Sequence, residues 1–221
     1  ISWLFLRAAG LASPKHAGIL IMTEDKAKAV LGSRAVPKNL VSKGYVLAWA
    51  SQKLDFSSIC ALFSGSEADA KWLDLLRTDA GAGIAAFDEL LHNQDRNTGN
   101  ILFRGRGSCV PIDHEQVFAR QNWMAGDLRH LAENGDSFRV LQRAHAGRKL
   151  SSDELVRVTD AMIAHSNGHA GALDVCRTQI GQLLGRLFSA PKGTAYANRI
   201  LSFIGERCSE HWMQQRVGAL T

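Results

Sequence analysis

The chain has 221 residues, of which 46% are hydrophobic and 21% charged, so it can bury a sizeable core and is not a disordered segment. Its net charge of +5 and pI near 9.2 suit an anionic ligand such as a nucleotide. Lys and Arg are scattered rather than gathered into a stripe with interleaved aromatics, which argues against nucleic acid as the partner. No apolar run reaches the ~18 residues of a membrane span. The four cysteines lie far apart without zinc-type spacing, as expected of reduced thiols in a cytoplasmic protein.

The apolar pattern Ile1, Leu4, Phe5, Ala8 predicts a helix that Gly10 ends. A signal-peptide core is opposed by Arg7 and by the lack of a preceding basic region, so this opening reads as that of a fragment beginning inside a helix. After Pro14, residues 16–22 predict a strand, residues 23–43 a connector with a short helix near 24–31, and residues 45–50 a buried strand. From Ser66 the pattern turns helical, with Ala68, Trp72, Leu75 and Leu76 on one face. Ile84, Phe87, Leu90 and Leu91 then mark a second helix ending at His92-Asn93.

Residues 101–103 and 109–112 predict a hairpin reversed by Arg104-Gly-Arg-Gly-Ser. Beyond Phe118 the chain reads as helical. A stretch at 122–134 is closed by Gly135, and a helix capped by Ser151/Ser152 with Asp153-Glu154 buries Leu155, Val158, Met162 and Ile163. A helix at 172–188 is interrupted by Pro191-Lys-Gly, and a last one runs over 196–218. The sum is an α+β chain, a small α/β piece attached to a larger helical one.

The chemistry-bearing stretch is His92-Asn-Gln-Asp95-Arg-Asn-Thr-Gly-Asn100-Ile-Leu-Phe, followed by Val110-Pro-Ile-Asp113-His-Glu. A polar loop leaving a helix carries Asp95 and Asn100, and the hairpin returns Asp113 beside it. Phosphoryl transfer needs such a set: a carboxylate to orient the acceptor hydroxyl, and Asn and Asp oxygens to hold the magnesium that bridges the phosphates. Asp95 and Asn100 have the Asp-x4-Asn separation of kinase catalytic loops, with Asp113 at the end of the next strand. The blander reading makes Asp95 and Asn100 turn residues that satisfy local backbone groups, and Asp113 a cap.

These residues resemble the Asn-x-Asp-Arg-His-x-x-Asn and Ile-Asp-His segments of HipA-like kinases, and phosphatidylinositol kinases carry a similar pair. The HipA-like family is favoured because Ala9-Gly-Leu-Ala-Ser-Pro and residues 44–52 resemble its helix-to-strand turn and its hinge. The resemblance covers the first half of the chain. It implies a protein-kinase-like fold, with an incomplete small N-terminal α/β lobe and hinge over 1–52 and a larger, mainly helical C-terminal lobe over 53–221.

By position, the resemblance makes Asp95 the catalytic base and Asn100 and Asp113 the magnesium ligands. It gives adenine of ATP to the hinge residues Leu47, Ala48, Trp49 and Ala50, and makes Arg96 a loop anchor. A protein Ser/Thr hydroxyl is the expected acceptor, hence a protein partner.

Two departures stand out. Asn97 replaces the usual His, and the glycine-rich loop and ATP-binding Lys of such kinases are absent. Gly32-Ser-Arg-Ala-Val-Pro-Lys38 is no phosphate cradle, and Lys15, Lys26 and Lys28 read as solvated surface. The alternative is therefore a non-catalytic module that binds a nucleotide or a partner. His165 and His169, four apart at a helix end, read as capping or solvent groups rather than metal ligands, and Trp72 and Trp123 as core.

Overall fold

The computed structural model describes residues 1–32, 36, 41–105, 107–114, 116–118, 128 and 135–218. The chain is α+β and mainly helical, with two small antiparallel sheets. It divides into two compact units, Pro14–Asp55 and the remainder, Ile1–Ser13 with Phe56–Thr221.

The smaller unit is a three-stranded sheet with one helix. Strand β1 (Ala17–Thr23) pairs along its whole length with β3 (Tyr45–Ser51), and β2 (Val41–Ser42) covers only the start of β3. Helix α2 (Glu24–Leu31) is capped by the Thr23 hydroxyl, which accepts from the Lys26 N–H. The helix packs on the face that carries Val46, burying Ala27 against it. On the opposite face Ile21 and Leu47 are cross-strand partners, as are Ile19 and Trp49. Ile21, Leu47 and Trp49 remain exposed there.

The larger unit is built around α5 (Asp79–Leu91), in which every residue from Gly81 to Leu91 is buried. A helix apolar nearly all round is the expected sequence of such a central element. The Thr78 hydroxyl caps it by accepting from the Gly81 N–H. Gly81 is dictated by the crossing of α4 (Gly65–Leu76), because a Cβ there would lie 1.9 Å from the Leu75 carbonyl oxygen.

One side of α5, with Ile84, Ala85 and Ala86, joins a core of Trp72, Leu76, Leu141 and Met162. These come from α4, from α6 (Asp136–Ala146) and from α7 (Ser152–Ser166). The other side, with Phe87, Leu90 and Leu91, joins Phe5, Ile180, Ile200 and Phe203, from α1 (Ser2–Ala8), α8 (His169–Leu187) and α9 (Ala190–Arg207). The first helix, read from sequence as part of the small lobe, thus supplies core to the larger unit. Helix α7 starts on the expected capping box of Ser151 and Glu154.

The remaining elements are α3 (Ile59–Leu62), the hairpin β4 (Ile101–Gly105) with β5 (Ser108–Pro111), and α10 (Trp212–Arg216). The hairpin matches the sequence reading, with Gly105 and Gly107 at positive φ in its turn. Three helix boundaries differ from expectation. Pro191 does not interrupt but stands in the first turn of α9, where its missing N–H costs nothing. The last helix is two, since the Ser209 hydroxyl bonds the Glu206 carbonyl and His211 turns left-handed. Gly135 begins α6 rather than closing a helix. The helix expected over 122–134 lies outside the described residues, Leu128 excepted, as do Trp123 and most of the segment 32–38.

Candidate functional site

Helix α5 ends at His92, whose left-handed conformation turns the chain into the polar loop. Asparagines make the turns. Asn93 anchors backward by donating to Asp88 Oδ1 at 2.8 Å, and its own Oδ1 accepts the Asp95 N–H. Asn97 Oδ1 accepts the Gly99 N–H at 2.8 Å, while Asn97 Nδ2 donates to Asp95 Oδ1 at 3.0 Å. Asn97 therefore orients the Asp95 carboxylate directly.

Asn100 closes the loop. Its Nδ2 donates to the Asp95 carbonyl at 2.7 Å and, more weakly, to Asp95 Oδ2 at 3.4 Å. Its main-chain carbonyl accepts the Ile112 N–H at 2.9 Å. That bond draws the end of β5 alongside the loop, and Asp113 is the next residue after it. Asp113 is exposed and left-handed, with φ 53°. Asp95 is half-buried and Asn100 buried.

Among the described residues, the Asp95 carboxylate accepts only from side-chain amides, and neither Asn100 Oδ1 nor the Asp113 carboxylate receives a hydrogen bond. Asn93, Asn97 and Asn100 all make turn bonds to local backbone groups, so for Asn100 the blander reading holds in part, while the Asp95 carboxylate makes no bond to the backbone among the described residues. With the Asn100 amide nitrogen committed to Asp95, the side-chain donors that Asn100 and Asp113 have left to offer are both oxygens. Such donors fit a hard cation such as magnesium, which takes one or two protein oxygens and completes its octahedron with phosphate and water. Among the described residues no cluster of three or more His, Cys, Asp or Glu is arranged to hold a metal ion.

Beneath the loop lies Arg96, fully buried against a fully buried Asp88. Its Nε and Nη2 bond the Asp88 carboxylate, its Nη1 bonds the carbonyls of Asn100 at 3.1 Å and Ile112 at 2.8 Å, and its Nη2 also reaches His114 Nδ1 at 2.9 Å. Because a guanidinium only donates, His114 Nδ1 is an acceptor and the ring proton sits on Nε2. Burial, reinforced by the Arg96 charge, holds the His114 pKa well below 6.5, and the ring lies edge-on to Phe87. The imidazole is a packed neutral acceptor behind Asp113.

The start of α6 completes the surroundings: Ser137 Oγ donates to Asp88 Oδ2, and the Asp136 N–H bonds the Asn93 carbonyl at 2.9 Å. Burial first, and the charges of Asp88 and Asp95 further, raise the Asp136 pKa, against Arg139. Cys60 adjoins the loop too, its N–H bonding the Thr98 carbonyl at 3.2 Å.

Sequence reasoning did not single out Asp88, Asp136, Ser137 or Cys60. A signal for Asp88 was present, since an acidic residue inside the run Phe87 to Leu91 falls where periodicity demands burial, and buried carboxylates need partners.

The four residues assigned to adenine lie in the smaller unit, in the middle of β3. The bonds Gln52 N–H to His16 O and Glu24 N–H to Gly44 O bracket the β1–β3 ladder. By antiparallel alternation, Ala48 and Ala50 spend their main-chain groups on β1, whereas those of Leu47 and Trp49 point to the other edge, beyond the end of β2. Trp49 is 53% exposed. Lys28 forms an exposed ion pair with Glu24, and Lys15 and Lys26 are exposed.

His165 bonds Asp79, whereas His169, expected at a cap or in solvent, is instead buried edge-on to Phe5, because α8 turns it into the core. Trp72 is in the core. Among the described residues, no helix is long and apolar enough to cross a membrane. The chain matches no family model, and no curated protein or solved structure is significantly similar to it.

Proposed function

We propose that the chain is a HipA-like, ATP- and magnesium-dependent phosphotransferase of protein-kinase-like fold, acting in the cytoplasm on a protein Ser/Thr hydroxyl. The observation that carries this reading is the Asp95–Asn100–Asp113 arrangement. Asn100 closes the loop, bonded to Asp95 on one side and to the residue before Asp113 on the other. Asn100 Oδ1 and the Asp113 carboxylate accept no hydrogen bond among the described residues.

In this reading Asp95 receives the proton of the acceptor hydroxyl as that oxygen attacks the γ-phosphorus and the bond to the ADP oxygen breaks. Asn100 Oδ1 and the Asp113 carboxylate would hold magnesium, which when bound would supply neutralising charge to the phosphate oxygens. Arg96 keeps the loop in register. Leu47 and Trp49 offer the main-chain groups of β3 to adenine, flanked by Ala48 and Ala50.

Calorimetric titration of ATP with and without magnesium, paired with a transfer assay to protein Ser/Thr acceptors, tests the reading. Magnesium-dependent binding with transfer supports it. Binding without transfer supports the non-catalytic nucleotide-binding alternative, and no magnesium-dependent binding defeats both.

A further inference from the structure

We propose that Arg96, locked by Asp88 and Ser137, is a positioning residue that sets the spacing of Asn100 and Asp113, and with it the affinity of that pair for a divalent cation. The inference rests on the phosphotransferase reading of the loop. Asn100 and Asp113 flank the open end of the hairpin on its two strands, and two links tie those strands together there. One is the Ile112 N–H bond to the Asn100 carbonyl, and the other is Arg96 Nη1, which bonds both the Asn100 and the Ile112 carbonyls. A rigid planar group thus touches the main chain of one ligand and the residue before the other. Its orientation is fixed from behind, because Nε and Nη2 grip Asp88, which is in turn held by Asn93 Nδ2 and Ser137 Oγ.

Asp88 belongs to the fully buried part of α5, so the reference point for the loop is the most enclosed element of the unit. His114 occupies the last Nη2 direction as a neutral acceptor, leaving the guanidinium no alternative arrangement. Lysine in its place retains a charge for Asp88 but is a point donor that cannot span two carbonyls, a carboxylate and an imidazole. Losing a group that orients metal ligands from behind weakens metal binding by about 10- to 100-fold.

The test uses manganese(II) with ATP on the full chain, bound manganese being read by electron paramagnetic resonance. Wild type is compared with Arg96→Lys, Ser137→Ala, Asp113→Glu and the Arg96→Lys/Asp113→Glu double variant. Arg96→Lys is expected to weaken manganese binding about 10-fold or more, and to add little once Asp113→Glu has already changed the ligand spacing. Ser137→Ala, which removes one bond on Asp88 and keeps the ion pair, shifts affinity in the same direction by less; it carries the test if thermal melts show the lysine variant unfolded.

Unchanged affinity in the folded single variants, or fully additive losses in the double variant, overturns the positioning role. Wild-type protein that binds no manganese with ATP overturns the phosphotransferase reading, and the two failures are told apart by whether wild type or variant departs from expectation.

Discussion

Asp88 and Glu89 are consecutive residues of α5, both withdrawn from solvent, and each is matched by a different arginine. Asp88 takes Arg96 from the polar loop, and Glu89 takes Arg216 from α10 at 2.9 Å. Neighbouring helical positions point about 100° apart, so one turn of helix holds the loop on one side and the C-terminal elements on another. Glu89 also accepts the Gly135 N–H, and Arg207 bonds its carbonyl. Burial raises the Glu89 pKa, and Arg216 opposes the rise.

Removing the cation from this pair should be costly. Arg216→Ala is expected to destabilise the larger unit by about 3 kcal/mol, because breaking a buried pair leaves an uncompensated charge. The deficit should be larger at pH 8 than at pH 5, since a Glu89 carboxyl with a raised pKa escapes the penalty by taking up a proton. Urea denaturation at the two pH values measures it, and a deficit that grows at pH 5 contradicts the assignment.

His169 should give the protein an acid-sensitive stability. Burial, and secondarily His165, lower its pKa from 6.5 to about 4, so the unfolded chain binds more protons between those values. Stability is therefore complete above pH 6.5 and is lost as pH falls toward 4, by about 3 kcal/mol. His169→Phe, which removes a ring whose Nδ1 has no hydrogen-bond partner among the described residues, should flatten that slope in melts recorded from pH 4 to 7.

The two acidic residues of the candidate site should separate by phenotype. Asp113→Ala is expected to remove the magnesium dependence of ATP binding. Asp95→Ala should retain that binding and lower transfer by 100-fold or more, on the order expected for a proton-transferring group. Unimpaired turnover in both variants would show that neither carboxylate takes part in the transfer.

The central helix offers a packing test. Phe87→Ala should cost about 3–5 kcal/mol through lost burial and the cavity left behind. Gly81→Ala, though it adds only a methyl group, forces α4 and α5 apart at a 1.9 Å backbone approach and should cost about 3 kcal/mol or more. Thermal unfolding of each variant against wild type measures both.

Much of the site loop was legible in the sequence because its cues are local. Asn and Gly mark the turns, and the switch from helical to alternating pattern locates α5 and the hairpin that brings Asp113 back. The buried supports were not legible, since Asp88 finds Arg96 and Ser137, and Glu89 finds Arg216, only through tertiary packing. Helix ends failed where one residue type serves opposite purposes. Pro191 reads equally as a breaker and as a first-turn residue, and Gly135 as a stop and as a start. The break at residues 208–211 depends on a single left-handed histidine, a conformation for which sequence offers little warning.

The environment of the thiols makes the protein a convenient optical probe of itself. Burial pushes Cys109 and Cys208 up to about 11 and about 12, and raises Cys176 as well, which suppresses the thiolate each would need to react. Cys60 is exposed and is bonded through its backbone to Thr98. A maleimide dye should therefore attach there selectively, placing a fluorophore beside the polar loop without altering any of the side chains that build it.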